Sequence, residues 1–319
     1  MKLSPAREWL ALFALILLTL GAEAWYFGDV FFHPNQYGIM LNPDGMQITF
    51  NYVWQVRHGH GLILSNQNYP SFDWLFMTDA QAAVTLLIQT LHSCWPGISA
   101  YSLGIFNGLL LYTIPFCSVY LYKIFRFLGI PVTNSVLFAL FICFLSPQWV
   151  RLTSGHYGLA YLFFYPFVIY QLLRFTDTKI KAWKPVLSLV TVLLFFGFNN
   201  GYLSLAGNLL VGGFGLGWGI REWKQKGWQA WLPFLVALVV LGSLFTIFHG
   251  LDHVTDREKL PWGFLVFYAQ FESIFLPTCG FIYESIQKLT PVIKVSYEGE
   301  AYVGIIGLFF LGWSMYRLF

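Results

Sequence analysis

The chain has 319 residues, of which 57% are hydrophobic, 20% aromatic and only 10% charged, with a formal net charge of +3. A soluble domain of this length could not hide so much apolar surface, so the composition excludes a soluble globular protein. We therefore predict an integral membrane protein whose partner is the lipid bilayer, and we expect no nucleic acid among its ligands.

Apolar stretches of up to about twenty residues recur along the chain, and such lengths cross a hydrocarbon core of about 30 Å as helices. They predict an all-α, polytopic transmembrane helix bundle of about eight spans within one domain, residues 1–319. The spans are Trp9–Phe27, Ala100–Tyr122, Val132–Leu145, Tyr157–Leu173, Val186–Phe198, Gly201–Ile220, Ala230–His249 and Ala301–Leu318. Two large extracytoplasmic loops are predicted, residues 28–100 after the first span and residues 250–300 before the last. The last span reaches the end of the sequence, which is typical of a C-terminally truncated chain.

The distribution of basic residues predicts the orientation, because short basic loops stay on the cytoplasmic side. With a cytoplasmic N-terminus, twelve of the 18 Lys and Arg residues fall inside. They are Lys2, Arg7, Lys123, Arg126, Arg174, Lys179, Lys181, Lys184, Arg221, Lys224, Lys226 and Arg317. This arrangement requires that Ala80–Trp95 does not cross the membrane. We predict a re-entrant or interfacial helix there.

The first extracytoplasmic loop contains Asp44, which begins a predicted amphipathic helix on the membrane surface. Two interpretations stay open for this residue. Asp44 could cap the helix, because aspartate satisfies free N–H groups and favours the positive end of the helix dipole. It could instead be a catalytic carboxylate, for which Asp29 is a weaker candidate.

Asp79 lies directly before the predicted re-entrant helix and has the same two interpretations. It could cap that helix, or it could join Asp44 in binding a sugar hydroxyl or a divalent cation, Mg or Mn. The carboxylates Glu298 and Glu300 stand before the last predicted span. They are either solvated loop charges or the second wall of a polar site that contains Asp44.

Arg151 and His156 lie between the third and fourth predicted spans, on the outer side and against the charge rule. Two cations at this level could bind a lipid-linked phosphate, with the arginine making bidentate contacts. Alternatively, Arg151 extends to lipid headgroups and His156 only caps a helix.

These residues belong to an ordered set of motifs. In chain order they are Asp44-Gly45, Asn68-Tyr69-Pro70, Thr78-Asp79-Ala80-Gln81, Leu145–Gln148 with Arg151, Gly155 and His156, and Glu298–Gly304. The set resembles the bacterial members of the C-superfamily (GT-C) of membrane glycosyltransferases, over nearly the whole chain. The resemblance implies a GT-C-like fold more firmly than it implies an activity.

In that superfamily an acid of the first outer loop is the catalytic base or a metal-associated carboxylate. The donor is usually a sugar linked to a polyprenyl phosphate carrier. The resemblance also implies a protein of the bacterial inner membrane. The resemblance thus implies catalytic roles for Asp44 and Asp79. It implies substrate-binding roles for Tyr69, Gln81, Arg151, His156, Glu298 and Glu300. One departure is that family members commonly carry paired acids at the first site, whereas here Gly45 follows Asp44.

The leading hypothesis is a glycosyltransferase that moves a sugar from a polyprenyl-phosphate donor to a glycan, lipid or protein acceptor at the periplasmic face. A second is a transporter or flippase for a lipid-linked or small polar solute. Such proteins usually carry ionisable groups inside their helices, whereas here the acids cluster in loops and Glu23 is the only acid within a predicted span. A third is a non-catalytic scaffold of envelope assembly.

Overall fold

The computed structural model describes residues 5–40, 42–64, 73–78 and 80–252, together with residues 285, 288, 307, 309, 312 and 313. Contacts divide the chain into two units, Met1–Asp252 and His253–Phe319. The described residues of the second unit are helical. All elements discussed below belong to the first unit, which is mostly helical and confirms the all-α class.

The helices of the first unit follow one another with short connections. They are α1 (Pro5–Tyr26), α2 (Gly28–Phe32), α3 (Pro43–His58), α4 (Ala82–Cys94), α5 (Ser102–Phe127), α6 (Val132–Phe144), α7 (Pro147–Thr153), α8 (Phe164–Thr176), α9 (Trp183–Asn199), α10 (Gly201–Lys226) and α11 (Leu232–Leu251). Short 3₁₀ helices span Leu75–Met77, Pro96–Tyr101, Tyr157–Leu159 and Gly227–Trp231. A small antiparallel pair, β1 (Ile63–Leu64) and β2 (Asp73–Trp74), lies between α3 and α4.

Four helical stretches are long and apolar enough to cross a membrane: Ala6–Tyr26, Pro96–Phe127, Tyr157–Thr176 and Gly201–Leu251. The last stretch comprises α10 and α11, which pack against each other on either side of the turn at Gly227. Shorter apolar helices occupy the predicted spans at α6 and α9. The count of eight spans stays a prediction, and Ala301–Leu318 lies outside the described residues except for a few single positions.

Helix α4 occupies the segment predicted to be re-entrant. Its 13 residues make a helix of about 20 Å, shorter than a hydrocarbon core of about 30 Å. The Arg126 guanidinium near the end of α5 donates to Glu8 Oε1 near the start of α1, with Nε at 2.9 Å. Helices α1 and α5 are therefore antiparallel, as expected if α4 turns back. Which side is cytoplasmic stays a prediction.

An aromatic stack joins α3 to the bundle. The Tyr52 ring of α3 lies 4.9 Å from the Phe106 ring of α5, and Phe106 contacts Tyr157 edge to face at 5.4 Å. All three rings are fully buried. Because large buried rings fix the relative positions of the elements that carry them, α3 is held against α5 and the start of the Tyr157–Leu159 turn.

Candidate functional site

The first turn of α3 shows that Asp44 is not the helix cap. The cap is Asn42, whose side-chain oxygen accepts a hydrogen bond from the Gly45 N–H at 2.8 Å. Pro43 follows at the first helical position, where its missing N–H costs nothing. The capping interpretation of Asp44 is therefore wrong, because Asn42 already satisfies the free N–H. Asp44 still lies in the first turn of the helix, at the positive end of the helix dipole.

The segment after α7 is bonded to the start of α3. The Asn42 amide donates to the Ser154 carbonyl at 2.5 Å. The Tyr157 hydroxyl accepts from the Met40 N–H at 2.9 Å and donates to the Met40 carbonyl at 3.2 Å. Asn42 thus has two roles: it caps α3 and it attaches α3 to a segment more than a hundred residues away.

Gly155 makes this contact sterically possible. Its φ of +80° lies in the left-handed region, and a Cβ at this position would stand 2.3 Å from Asn42 Oδ1 and 2.8 Å from the Gly45 N. Gly45 is equally confined, since a Cβ there would meet Tyr157 Oη at 3.0 Å. Two backbones without side chains are therefore in contact. The residues beside these glycines, Asp44 and His156, are brought together as a result.

The Asp44 carboxylate and the His156 imidazole form the centre of the site. His156 Nε2 lies 3.8 Å from Asp44 Oδ2, with 31% of the histidine side chain and 58% of the aspartate side chain exposed. This distance is too long for a hydrogen bond and leaves both groups open to a ligand. An exposed carboxylate beside an imidazole can accept, hold or pass on a proton.

The backbone of Arg151 lies next to that of His156. The His156 N–H donates to the Arg151 carbonyl at 3.0 Å. The last turn of α7, which contains Arg151, is therefore bonded directly to the segment that contains His156. The side chain of Arg151 is partly exposed, and its guanidinium has no hydrogen-bond or ion-pair partner within the described part of the chain. The structure therefore places the backbone of Arg151 beside His156 and leaves its guanidinium unpaired among the described residues.

Gln81 belongs to a separate, buried cluster at the start of α4. Its φ of +56° is the one left-handed backbone among the described non-glycine residues. The side chain is fully buried, and its Oε1 accepts from the Tyr161 hydroxyl at 2.5 Å. Such strain persists only where the surroundings enforce it. Gln81 is thus a buried, hydrogen-bonded residue, and its substrate-binding role stays a prediction.

Asn199, the last residue of α9, caps α4 from a distance. Its Oδ1 accepts from the Ala83 N–H at 2.9 Å and from the Val84 N–H at 3.4 Å. Its Nδ2 is buried and has no hydrogen-bond partner among the described residues. Because an N-cap normally comes from the preceding residue of the same helix, no local pattern identifies this role.

The Tyr52 phenol of α3 is not a candidate base. Its hydroxyl is buried and has no hydrogen-bond partner among the described residues. Burial raises the pKa of Tyr52 far above its ordinary value, since the phenolate would lose its hydration. Tyr52 is therefore neutral at physiological pH, and its contribution to the site is to stack on Phe106.

The described residues do not build a metal centre. Within those ranges, no three His, Cys, Asp or Glu side chains stand close enough to hold an ion, and Asp44 and His156 supply one carboxylate and one imidazole. Magnesium and manganese favour a larger set of oxygen ligands. The other predicted site residues, Tyr69, Asp79, Glu298 and Glu300, lie outside the described residues.

Asp44, His156 and the backbone of Arg151 thus converge, and Gln81 takes part in another cluster. Sequence comparison with protein families and curated proteins, and structural comparison with solved structures, find no match to this chain.

Proposed function

We propose that this chain is an integral membrane glycosyltransferase of the GT-C type. It would transfer a sugar from a polyprenyl-phosphate donor to a glycan, lipid or protein acceptor at the outer face of the bacterial inner membrane. The observation that supports the proposal is the approach of His156 to Asp44 at 3.8 Å, on a scaffold that joins α3 to the segment after α7. Two groups that the sequence separates widely meet at one open site.

In the proposed reaction the acceptor hydroxyl attacks the anomeric carbon of the donor sugar. Asp44 accepts the hydroxyl proton as the new carbon–oxygen bond forms, because a neutral hydroxyl is a poor nucleophile. The bond between the anomeric carbon and the phosphate oxygen breaks, and the electron pair leaves with the lipid phosphate. Asp44 has the exposure that such a bulky acceptor requires.

Negative charge develops on the departing phosphate and needs a nearby donor. Arg151 is suited to this role because its guanidinium has no partner among the described residues and can make bidentate contacts with phosphate oxygens. His156 adds a second N–H donor on the same turn when its imidazole is protonated. A divalent cation held by Asp44 with Asp79 stays a prediction, and no step above depends on it.

The test compares Asp44→Asn with Asp29→Asn in full-length protein reconstituted in bilayers. The substrates are a panel of polyprenyl-phosphate-linked sugars with bacterial envelope lipids as acceptors. We expect Asp44→Asn to lower transfer by about 10²-fold or more, because asparagine keeps the shape and removes the base. Asp29→Asn, a matched change in α2, should retain activity. Equal activity of wild type and Asp44→Asn, or no transfer by wild type from any donor, would refute the proposal.

One observation favours a transporter or flippase as the second candidate. Glu23 in α1 is fully buried, and neither carboxylate oxygen has a hydrogen-bond partner in the part of the chain that the structure describes. Buried acids within spanning helices are costly and often belong to proton or ion pathways. A solute flux across vesicles that is lost in Glu23→Gln and kept in Asp44→Asn would favour this candidate over the transferase.

A further inference from the structure

A second concave surface lies on the other flank of α3. Nine residues separate Asp44 from Val53, which is about two and a half helical turns, so these two side chains leave α3 in opposite directions. On the flank of Val53, a cavity of about 400 Å³ is lined by side chains of α3, of α5 and of the segment after α2. We call this surface the α3 groove. It does not include Asp44 or His156.

The floor of the α3 groove is apolar. Met46, Phe50 and Val53 recur along α3 at helical spacing, and Leu103 of α5 faces them. Met46 and Phe50 are 51% and 56% exposed. Leu103 lies near the beginning of the apolar stretch Pro96–Phe127, which is long enough to cross a membrane. The groove therefore lies where a spanning helix reaches the membrane surface, and lipid chains can reach its floor.

The far end of the α3 groove carries a cation. Arg57 lies on the same stripe of α3, and its guanidinium donates to the carbonyls of Ser99 at 3.3 Å and Ala100 at 3.5 Å. These two bonds orient the group and leave other N–H donors unused. Arg57 pairs with no acid among the residues that the structure describes. Its charge is therefore available to an anion.

The walls of the groove are formed before any ligand arrives. The Asn35 amide donates to the Ala100 carbonyl at 3.0 Å, and its oxygen accepts from the Gly104 N–H at 3.0 Å. Asn107 donates to the carbonyls of Pro34 and Tyr37, both at 2.7 Å. The segment after α2 is thus attached to α5 at both ends, and a ligand would meet little ordering cost.

We propose that the α3 groove binds an anionic phospholipid from the leaflet in which α5 begins. The phosphate would lie against Arg57, and the first part of an acyl chain would lie on Met46, Phe50 and Leu103. The apolar floor matches the acyl chain of such a lipid, and the unpaired guanidinium at its end matches the phosphate. The bound lipid would hold α3, and with it Asp44, at a constant depth in the membrane surface.

The experiment uses full-length protein in phosphatidylcholine nanodiscs and a phosphatidylglycerol probe with a diazirine in its acyl chain. Cross-linked peptides are counted by mass spectrometry, and the matching phosphatidylcholine probe is the reference. We expect the anionic probe to label residues 43–58 and Leu103 about fivefold more than the reference, as for one partly exposed ion pair. Equal labelling by both probes would overturn the proposal.

Variants localise the effect. Arg57→Gln should abolish the preference for the anionic probe while leaving labelling by the phosphatidylcholine probe unchanged, which also verifies folding. Arg57→Lys should keep most of the preference, and Arg221→Gln, an exposed arginine at the opposite end of the bundle, should keep all of it. A preference that survives in Arg57→Gln would contradict the assignment. Complete displacement of the probe by inorganic phosphate would assign the site to free phosphate and overturn the lipid assignment.

Discussion

Two carboxylates of this chain have opposite surroundings. Asp44 is more than half exposed, lies 3.8 Å from His156 and belongs to a helix start that is fixed by the hydrogen bonds of Asn42 with Gly45 and Ser154. Glu23 in α1 is fully buried, and within the described part of the chain neither of its oxygens has a hydrogen-bond partner. The surroundings of Asp44 leave a carboxylate open to solvent, whereas those of Glu23 isolate a polar group at a cost in stability.

In a membrane protein, the burial of an acid is not by itself evidence of function. A buried acid without a partner attracts attention, but its free-energy cost is paid whether or not it has a function. The site at Asp44 is supported instead by two glycines, Gly45 and Gly155, which allow the segment after α7 to contact the start of α3. Substitutions that disturb the positioning of Asp44, and others that remove the buried carboxyl of Glu23, test this difference.

The largest effect is expected for Gly155→Ala. A side chain here would adopt an unfavourable left-handed backbone and would stand 2.3 Å from Asn42 Oδ1. We expect a loss of about 3 kcal/mol in stability, from backbone strain and overpacking, with loss of the proposed activity. Thermal unfolding in detergent measures the first effect.

The matched control is Gly129→Ala. Gly129 has nearly the same φ, +79°, but an added Cβ would meet nothing within 4 Å. It should therefore cost only the backbone strain, about 1 kcal/mol. If both variants lost the same stability, the close contact between Gly155 and the start of α3 would not exist in solution.

The next effect is expected for Asn42→Ala, which removes both the α3 cap and the bond to Ser154. We expect a loss of about 2 kcal/mol and a reduced transfer rate, because Asp44 would no longer be positioned. Asn200→Ala is the control, since Asn200 caps α10 through the Leu203 N–H. It should lower the unfolding temperature similarly and leave transfer intact. A parallel loss of activity in both variants would reduce Asn42 to a general stability residue.

Much of the helical framework could be predicted from local sequence. Apolar runs such as Gly201–Ile220 require a helix because no water is available in a membrane to satisfy the backbone. The amphipathic helix predicted to begin at Asp44 in the first loop is confirmed at Pro43–His58.

The site was predictable only in part. Asp44 and His156 could be selected as chemically capable groups, but their meeting depends on a contact 112 residues apart between Asn42 and Ser154. The pair Asn42-Pro43 did contain a local signal, because asparagine followed by proline is typical of a helix start. The capping of α4 by Asn199 has no such signal, since it depends on how two distant helices pack.

A smaller effect of opposite sign is expected for Glu23→Leu. Replacing a buried carboxyl that lacks partners by an apolar side chain should stabilise the protein by about 1 kcal/mol, without changing transfer. Glu8→Gln in the same helix is the contrast, because Glu8 is bonded to Arg126 and Tyr122. It should destabilise slightly, by under about 1 kcal/mol for a partly exposed pair. Destabilisation by Glu23→Leu would show that Glu23 is satisfied in the membrane and would weaken the comparison.

The smallest effect is expected for Arg151→Lys. Lysine keeps the charge but loses the planar, two-point contact with phosphate, so we expect the apparent KM for the polyprenyl-phosphate donor to rise about threefold with little change in kcat. An arginine that only extends to lipid headgroups would tolerate lysine, because either side chain reaches that level. Arg57→Lys is the matched substitution on the opposite flank of α3 and should leave the donor dependence unchanged. If the donor curves of Arg151→Lys and wild type coincide, Arg151 is a structural residue, and the phosphate contact must come from His156 or from another part of the chain.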